Sequence, residues 1–256
     1  MRVATFNILH GRSLEDDQVD LDRFGEAIAS LDADVLALQE VDRHQARSAG
    51  ADLTALAADA MGAREHLFVA ALHGSPGVWM AADGDLAPDA AAYGVALLSR
   101  HPVASWESVR LAPVPFRVPM RFDGSPRPEL VRDEARVAVV ATVEAPGGPV
   151  TVANTHLTFI EWWQRRQLRT LRTALSGTEG PLLLLGDLNM GAERAQRLTG
   201  LSSLVTADTF PADAPGEQLD HVLGSPDLVG RVSGGGATRL ALSDHRALHV
   251  DLLDRT

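Results

Sequence analysis

The 256-residue sequence contains no cysteine, and its 23 basic side chains are all arginine, with no lysine. Without cysteine, the protein can form no disulfide bond, no cysteine-ligated metal site and no thiol nucleophile. Long hydrophobic runs are also missing, since no apolar stretch approaches the about 20 residues of a membrane-spanning helix. No secretory signal precedes the first strand pattern, V-A-T-F-N-I, so we expect a cytoplasmic protein. The sequence also lacks a linker, which predicts one catalytic domain over residues 1–256.

Positive charge is scarce relative to negative charge, and the formal net charge is −11 at pH 7. Proteins that grip many phosphates of a nucleic acid usually carry a basic face, because affinity there comes from counterion release. The acidic excess therefore disfavours binding along an extended duplex but is compatible with a local basic patch. Arginine suits planar recognition of phosphate oxygens, although an arginine-rich composition equally fits a GC-rich genome.

The stretch Pro181–Met190, P-L-L-L-L-G-D-L-N-M, holds the most informative motif of the chain. Four consecutive leucines predict a short strand buried on both faces, ended by a turn at Gly186. The strand end then presents Asp187 and Asn189, which point the same way if the chain stays extended. A carboxylate can take a proton from water and an amide can orient that water, whereas both residue types are also common in plain turns.

Several other predicted strands end in a residue of the same chemical kind. In chain order these residues are Asn7, Glu40, His156, Asp220, Asp244 and His245. An isolated carboxylate is costly to bury. A divalent cation is therefore a natural partner for Glu40, and a surface salt bridge is the alternative.

Helical spacing of apolar residues predicts a helix capped by Asp20 or Asp22 and helices over residues 52–61, 161–175 and 192–201. Residues 72–92 are rich in glycine, alanine, proline and aspartate, which predicts an irregular loop. The strands Tyr93–Arg100 and Val103–Leu111 resemble a hairpin that leads into a second sheet. A further hairpin is predicted around P-G-G, between residues 135–144 and 149–155.

Residues 112–133 interleave prolines with arginines, namely Pro113, Pro115, Pro119, Pro126, Pro128, Arg117, Arg121, Arg127 and Arg132. So many prolines exclude a helix or a central strand. The arginines either line a phosphate pocket or offset nearby acids in an exposed loop.

The series of strand ends resembles the endonuclease/exonuclease/phosphatase superfamily. That superfamily includes abasic-site endonucleases, pancreatic-type deoxyribonucleases, inositol polyphosphate phosphatases, sphingomyelinases and poly(A) deadenylases. The resemblance runs from Thr5 to His245, and its most specific pieces are L-Q-E-V, G-D-L-N and S-D-H. It implies an α/β fold, a four-layer α/β/β/α sandwich of two packed mixed β-sheets with outer helices, whose strand ends form a cleft at one edge.

The resemblance also implies a metal site. Glu40 would be the principal ligand of a Mg²⁺ or Mn²⁺ ion, with Asn7 beside it and Asp244 completing the shell. These are oxygen donors, which match a hard cation rather than zinc. Leu9 departs from the pattern, because many nucleases of the family carry a second acidic or amide residue there, and this implies a leaner metal shell.

Five further residues match the family's catalytic positions. Asp187 would position or deprotonate the attacking water, and Asn189 would hold water or a phosphate oxygen. His245 would contact the scissile phosphate, with Asp220 fixing its orientation and protonation, and His156 would donate a further hydrogen bond. In-line attack accumulates charge on the non-bridging oxygens, which a divalent cation and a protonated imidazole both stabilise.

These residue types predict a metal-dependent hydrolase of phosphoester bonds, a phosphatase or phosphodiesterase acting on a small molecule or a lipid headgroup. The alternative enzyme is a DNA endonuclease or exonuclease acting at abasic or nicked sites, which a basic patch around Arg117–Arg136 would favour. A non-catalytic protein that binds a phosphate ligand is the alternative of another class. It is disfavoured because none of the matched positions carries an inert residue.

Overall fold

The computed structural model describes residues 1–82, 89–121 and 127–254. The strands are β1 (Arg2–Asn7), β2 (Val35–Arg43), β3 (Glu65–His73), β4 (Met80–Ala81), β5 (Ala92–Ser99), β6 (Val103–Leu111), β7 (Val118–Met120), β8 (Glu129–Val131), β9 (Arg136–Ala145), β10 (Gly148–His156), β11 (Leu182–Asp187), β12 (Ser202–Ser203), β13 (Asp220–Gly224), β14 (Val232–Thr238) and β15 (Ala247–Leu252). The helices are α1 (Leu21–Ser30), α2 (Leu53–Met61), α3 (Glu161–Ala174), α4 (Ala192–Thr199) and α5 (Pro226–Val229). Asp20, one of the two predicted caps, caps α1 with its side chain, and Asp52 caps α2 in the same way.

Two mixed sheets form the centre of the fold. The first has the strand order β14-β15-β1-β2-β5-β3-β4, and the second has the order β12-β13-β11-β10-β9-β6. Each contains one parallel pair, β1 with β2 and β10 with β11, and the remaining pairs are antiparallel. The predicted sandwich of two mixed sheets is therefore confirmed.

Alternation of side chains along the strands creates the layers. Val3 of β1 and Leu183 of β11 lie in the apolar core between the sheets. Phe6 of β1 faces the opposite way and packs with α1 and α2, while Leu184 of β11 packs with α3 and α4. Within the described residues, no helix is long and apolar enough to cross a membrane.

Two local predictions from the sequence are wrong. β5 and β6 do not form a hairpin, because β2 and β3 already occupy both edges of β5, and β6 instead pairs with β9 in the second sheet. The region 72–92 is not one loop, since β3 extends to His73 and pairs with β4.

Residues 83–88 of that region and Pro126 of the proline-rich segment lie outside the described residues. Within that segment, β7 and β8 form a separate two-stranded ribbon rather than a central strand.

Candidate active site

Strand ends from both sheets meet at one edge of the sandwich. The amide Nδ2 of Asn7, at the end of β1, donates to Glu40 Oε1 at 3.1 Å and to Asp187 Oδ2 at 3.1 Å. Asn7 and Glu40 belong to the first sheet, and Asp187 ends β11 of the second. One amide therefore connects the two sheets at the point where their carboxylates converge.

A bulge in β2 directs Glu40 toward this edge. Leu38 and Val41 both pack against the helices α1 and α2, although strict alternation would place residues three apart on opposite faces. The register shifts between these two residues, and Glu40 adopts a left-handed backbone with φ of 56°. The extra residue of the bulge thus places a partly exposed carboxylate in the site.

Buried amides between the sheets hold the backbone of this bulge. Asn154 of β10 donates from Nδ2 to the backbone carbonyls of Leu38 at 2.9 Å and Ala96 at 2.8 Å. Its Oδ1 accepts from Gln39 Nε2 at 2.7 Å, and Gln39 Nε2 also donates to Thr5 Oγ1 at 3.0 Å. Asn154 is completely buried, so these bonds form without competition from water.

Asp187 and Asn189 reach the site by a turn rather than by an extended chain. Gly186 lies inside β11, where a Cβ would sit 1.9 Å from the carbonyl oxygen of Thr155, so the predicted turn at Gly186 is wrong. The chain turns after Asp187, whose Oδ1 accepts from the backbone N–H of Asn189 at 2.9 Å. Asn189 has φ of 51°, and its side chain reaches His156 because of this turn.

Asp220 and His245 form a buried pair beside Asp187. His245 Nδ1 lies 2.8 Å from Asp220 Oδ2, and His245 Nε2 lies 3.8 Å from Asp187 Oδ2. Burial by itself lowers the pKa of His245, but the charge and hydrogen bond of Asp220 outweigh it and raise the pKa to about 9. Burial and the charge of Asp220 raise the pKa of Asp187 to about 7. The imidazole is thus held in its charged form with Nε2 facing the site.

His156 is in the opposite state. Burial, with the charges of Arg136 and His245, lowers its pKa well below the usual value. Asn189 Nδ2 donates to the carbonyl of Leu157 at 2.9 Å, and this bond orients the side-chain amide of Asn189. The same Nδ2 lies 3.2 Å from His156 Nε2, which therefore accepts its second hydrogen. With Nε2 accepting from Asn189, the neutral ring carries its proton on Nδ1. The same Nε2 lies 3.5 Å from Asp187 Oδ2, so the other tautomer would direct its N–H at that carboxylate.

The loop 243–245 supplies the remaining predicted residue, Asp244. Its charge raises the pKa of both Glu40 and His245, so its carboxylate lies near these two residues. The preceding Ser243 was missed from the sequence. Its hydroxyl donates to the backbone carbonyl of Asn7 at 2.6 Å and accepts from the N–H of His245 at 3.0 Å, which fixes the loop to β1.

Arg136 is a second residue that sequence reasoning left unassigned. It is buried at the start of β9, and its charge lowers the pKa of Glu40 and of His156. The sequence contains a weak signal for it, because Arg136 stands at the start of an otherwise apolar strand pattern, two residues after Glu134. An arginine in this position adds positive charge beside a site that is otherwise rich in carboxylates.

The donor set fits a hard divalent cation. Burial raises the pKa of Glu40, and the hydrogen bond from Asn7 and the charge of Arg136, which lower it, do not offset this effect. The protein therefore places too little positive charge around Glu40 to stabilise its carboxylate fully. A cation held by the carboxylate oxygens of Glu40 and Asp244 would supply that charge. Asn7 Oδ1 accepts from the backbone N–H of Leu9 at 3.1 Å, so Asn7 would join these ligands by rotating its amide until the oxygen faces Glu40. Ligand atoms of Asp187, Asp220 and His245 also lie within 4.8 Å of one another and form a second group that could hold a metal ion.

Comparisons with known proteins agree with this fold. A family model described as the Endonuclease/Exonuclease/phosphatase family matches residues 4–245. No curated protein matches the chain. An endonuclease/exonuclease/phosphatase structure from Beutenbergia cavernae DSM 12333 shares 23% identity and a TM-score of 0.66, covering 100% of this chain and 72% of that chain.

Two other similar structures have more specific descriptions. A mannosyl-6-phosphatase of Bacteroides thetaiotaomicron VPI-5482 has 15% identity and a TM-score of 0.61, with 99% of both chains covered. A 3'-5' exonuclease of Neisseria meningitidis has 17% identity and a TM-score of 0.60, covering 99% of this chain and 100% of that chain. At these identities the likeness shows a common fold.

Proposed function

Because the chain belongs to the endonuclease/exonuclease/phosphatase family, we propose that it is a divalent-metal-dependent hydrolase of phosphoester bonds in a small molecule or a lipid headgroup. The observation that carries this proposal is the charge arrangement at the site. A protonated His245, fixed by Asp220, lies beside the carboxylate of Asp187 at the edge where Glu40 and Asn7 also meet. Such a set can bind a phosphate and activate water next to it.

In this mechanism the phosphate group binds between His245 and Asn189. The charged ring of His245 stabilises the negative charge that grows on the non-bridging oxygens during in-line attack. Asp187, whose pKa of about 7 suits a general base at neutral pH, positions the water and accepts its proton. Glu40, Asn7 and Asp244 would hold a Mg²⁺ or Mn²⁺ ion, which when bound acts as a Lewis acid on the phosphoryl oxygens.

The small-substrate assignment is supported by the net charge of −11. A site of this composition can hold one phosphate group without the long basic surface that a nucleic acid needs. The similar structures include both a phosphatase and an exonuclease, so the fold serves either class of substrate.

A nuclease is the second candidate, and uneven charge favours it. Residues 110–197 contain 12 of the 23 arginines and nine of the 34 acidic residues, a net charge of +3 in a protein of −11. Within this stretch, Arg117, Arg121, Arg127 and Arg132 are all exposed. They emerge at the same edge of the second sheet as His156, because β6 ends and β9 begins there.

A substrate panel tests the proposal. The wild type and Glu40→Gln are incubated with Mn²⁺ or Mg²⁺ and bis-nitrophenyl phosphate, sugar phosphates, lysophospholipids or abasic DNA, and product is quantified. We expect hydrolysis of a small phosphoester or a lysophospholipid by the wild type alone. Cleavage confined to DNA would replace the proposal with the nuclease, and binding of phosphate without any turnover would indicate a non-catalytic protein.

A further inference from the structure

A second cluster of positive charge lies away from the strand ends, between α3 and α4 on the outer side of the second sheet. A cavity of about 250 Å³ there is lined by Arg165, Leu168, Arg169, Arg172, Arg197 and Leu198. Its polar lining is contributed entirely by arginines, and no carboxylate takes part. A cavity lined only by positive charges is unusual in a protein with 34 acidic and 23 basic residues.

The internal contacts of the protein leave most of this charge uncompensated. Within the described ranges, Arg165, Arg169 and Arg197 make no ion pair with a carboxylate, and Glu161 of α3 is paired with Arg194 instead. Arg172 likewise makes no ion pair there, and its guanidinium donates to the backbone carbonyl of Leu198. Several neighbouring positive charges therefore have no carboxylate partner among the described residues.

Helix geometry makes this arrangement costly without a ligand. Arg165 and Arg169 are four residues apart on α3, and Arg169 and Arg172 are three apart, so their side chains lie on one face. Like charges at these spacings destabilise a helix. Arg197 extends from α4 toward the same cavity, which closes the cluster from the opposite side. Planar guanidinium groups converging on one space are suited to bidentate bonds with phosphate oxygens.

We propose that this cavity binds a group carrying two or more phosphates, supplied either by a free polyphosphate or by clustered anionic lipid headgroups. The site is separate from the hydrolytic edge and does not depend on the function proposed for it. Several positive charges match an anion of higher charge better than a single phosphate, which one or two arginines would satisfy.

Calorimetric titration of the full chain with pyrophosphate and with triphosphate tests the proposal. Chelator is present throughout, so that no divalent ion can carry the phosphate into the hydrolytic site. We expect saturable binding that weakens about tenfold in Arg165→Gln and in Arg169→Gln, because each variant loses charge-assisted hydrogen bonds. Arg231→Gln, at a partly exposed arginine outside the cluster, removes the same charge and should leave the affinity unchanged.

Two further arms decide the location and the source of the phosphates. His245→Gln should bind pyrophosphate as the wild type does, and loss of binding in it would instead locate the anion at the hydrolytic edge and overturn the proposal. Vesicles of phosphatidylglycerol with phosphatidylcholine are compared with phosphatidylcholine alone by sedimentation. Binding only to the anionic vesicles, lost in Arg169→Gln, would identify lipid headgroups as the source.

Two more results would overturn the proposal. One is the absence of binding to polyphosphates and to anionic vesicles, and the other is binding that Arg165→Gln and Arg169→Gln leave intact. Both side chains are exposed and each substitution relieves repulsion between like charges, so we expect an unfolding midpoint no lower than that of the wild type in each variant. Arg197→Gln on α4 provides an independent variant if a substitution in α3 reduces the yield of folded protein.

Discussion

Replacing Asn154 with alanine should weaken both the fold and the affinity for metal, although Asn154 does not face the site. The substitution removes two donors to the carbonyls of Leu38 and Ala96 and the acceptor of Gln39. An unsatisfied buried polar group costs about 1–3 kcal/mol. The Gln39 amide retains Thr5, so two carbonyls are left without their donor and we expect a loss of about 2–6 kcal/mol in unfolding free energy. That loss is a large part of the about 5–15 kcal/mol typical of a folded domain.

The effect on metal binding follows from the position of the bulge. Once its two carbonyl bonds are gone, the backbone around Leu38 is free to relax, and Glu40 loses the orientation that the bulge imposes. Urea unfolding monitored by tryptophan fluorescence measures the stability, and titration with Mn²⁺ followed by electron paramagnetic resonance measures the affinity. We expect at least a tenfold weaker Mn²⁺ affinity in the folded variant.

Thr155→Ala is the matched control for this prediction. Thr155 is the next residue of β10, is equally buried, and donates one hydrogen bond to the carbonyl of Val137 within the second sheet. It should lose about 1–2 kcal/mol of stability and keep its Mn²⁺ affinity. If Asn154→Ala lost less than about 1 kcal/mol, or matched the wild type in Mn²⁺ affinity, the assigned role of the buried amide would be refuted.

The other predictions concern the site itself. Chelation should abolish hydrolysis and Mg²⁺ or Mn²⁺ should restore it, and Glu40→Gln should raise the metal concentration needed for half activity without changing the circular dichroism spectrum. Full activity in excess chelator would contradict the metal assignment. Asp187→Asn should lower kcat about a hundredfold to ten-thousandfold with little change in KM, because water activation is felt chiefly in the transition state. His245→Ala and Asp220→Ala should be strongly non-additive in kcat/KM, whereas multiplicative losses would show that the two residues act independently. Hydrolysis of a small phosphoester should depend weakly on salt, and steep salt dependence together with strong competition by duplex DNA would favour the nuclease.

Local pattern was sufficient to predict the elements that depend on neighbouring residues. Four leucines identified β11, and the aspartates at 20 and 52 identified the starts of two helices. The hairpin of β5 and β6 could not be judged this way, because whether an edge of β5 is free depends on β3 and β2, which are distant in the chain.

The same limit applies to the candidate site. Residue types at strand ends predicted which side chains would converge, and the structure brings Asn7, Glu40, Asp187, Asp220 and His245 together. The bulge at Glu40 depends on Asn154, which is 116 residues from Leu38, and the direction of Asn189 depends on a left-handed turn. The contributions of Ser243 and Arg136 likewise become visible only when the loop 243–245 and β9 are placed beside β1 and β2.

The hydrogen bond from Asn7 to Asp187 joins residues 180 positions apart, and the bond from Ser243 to Asn7 joins residues 236 apart. Contacts between such distant parts of a chain form late in folding, because a large loop must close before they stabilise anything. Helices and individual hairpins can form before the two sheets dock, but the site cannot. During refolding, recovery of catalysis should therefore lag behind recovery of secondary structure and report the docking of the sheets.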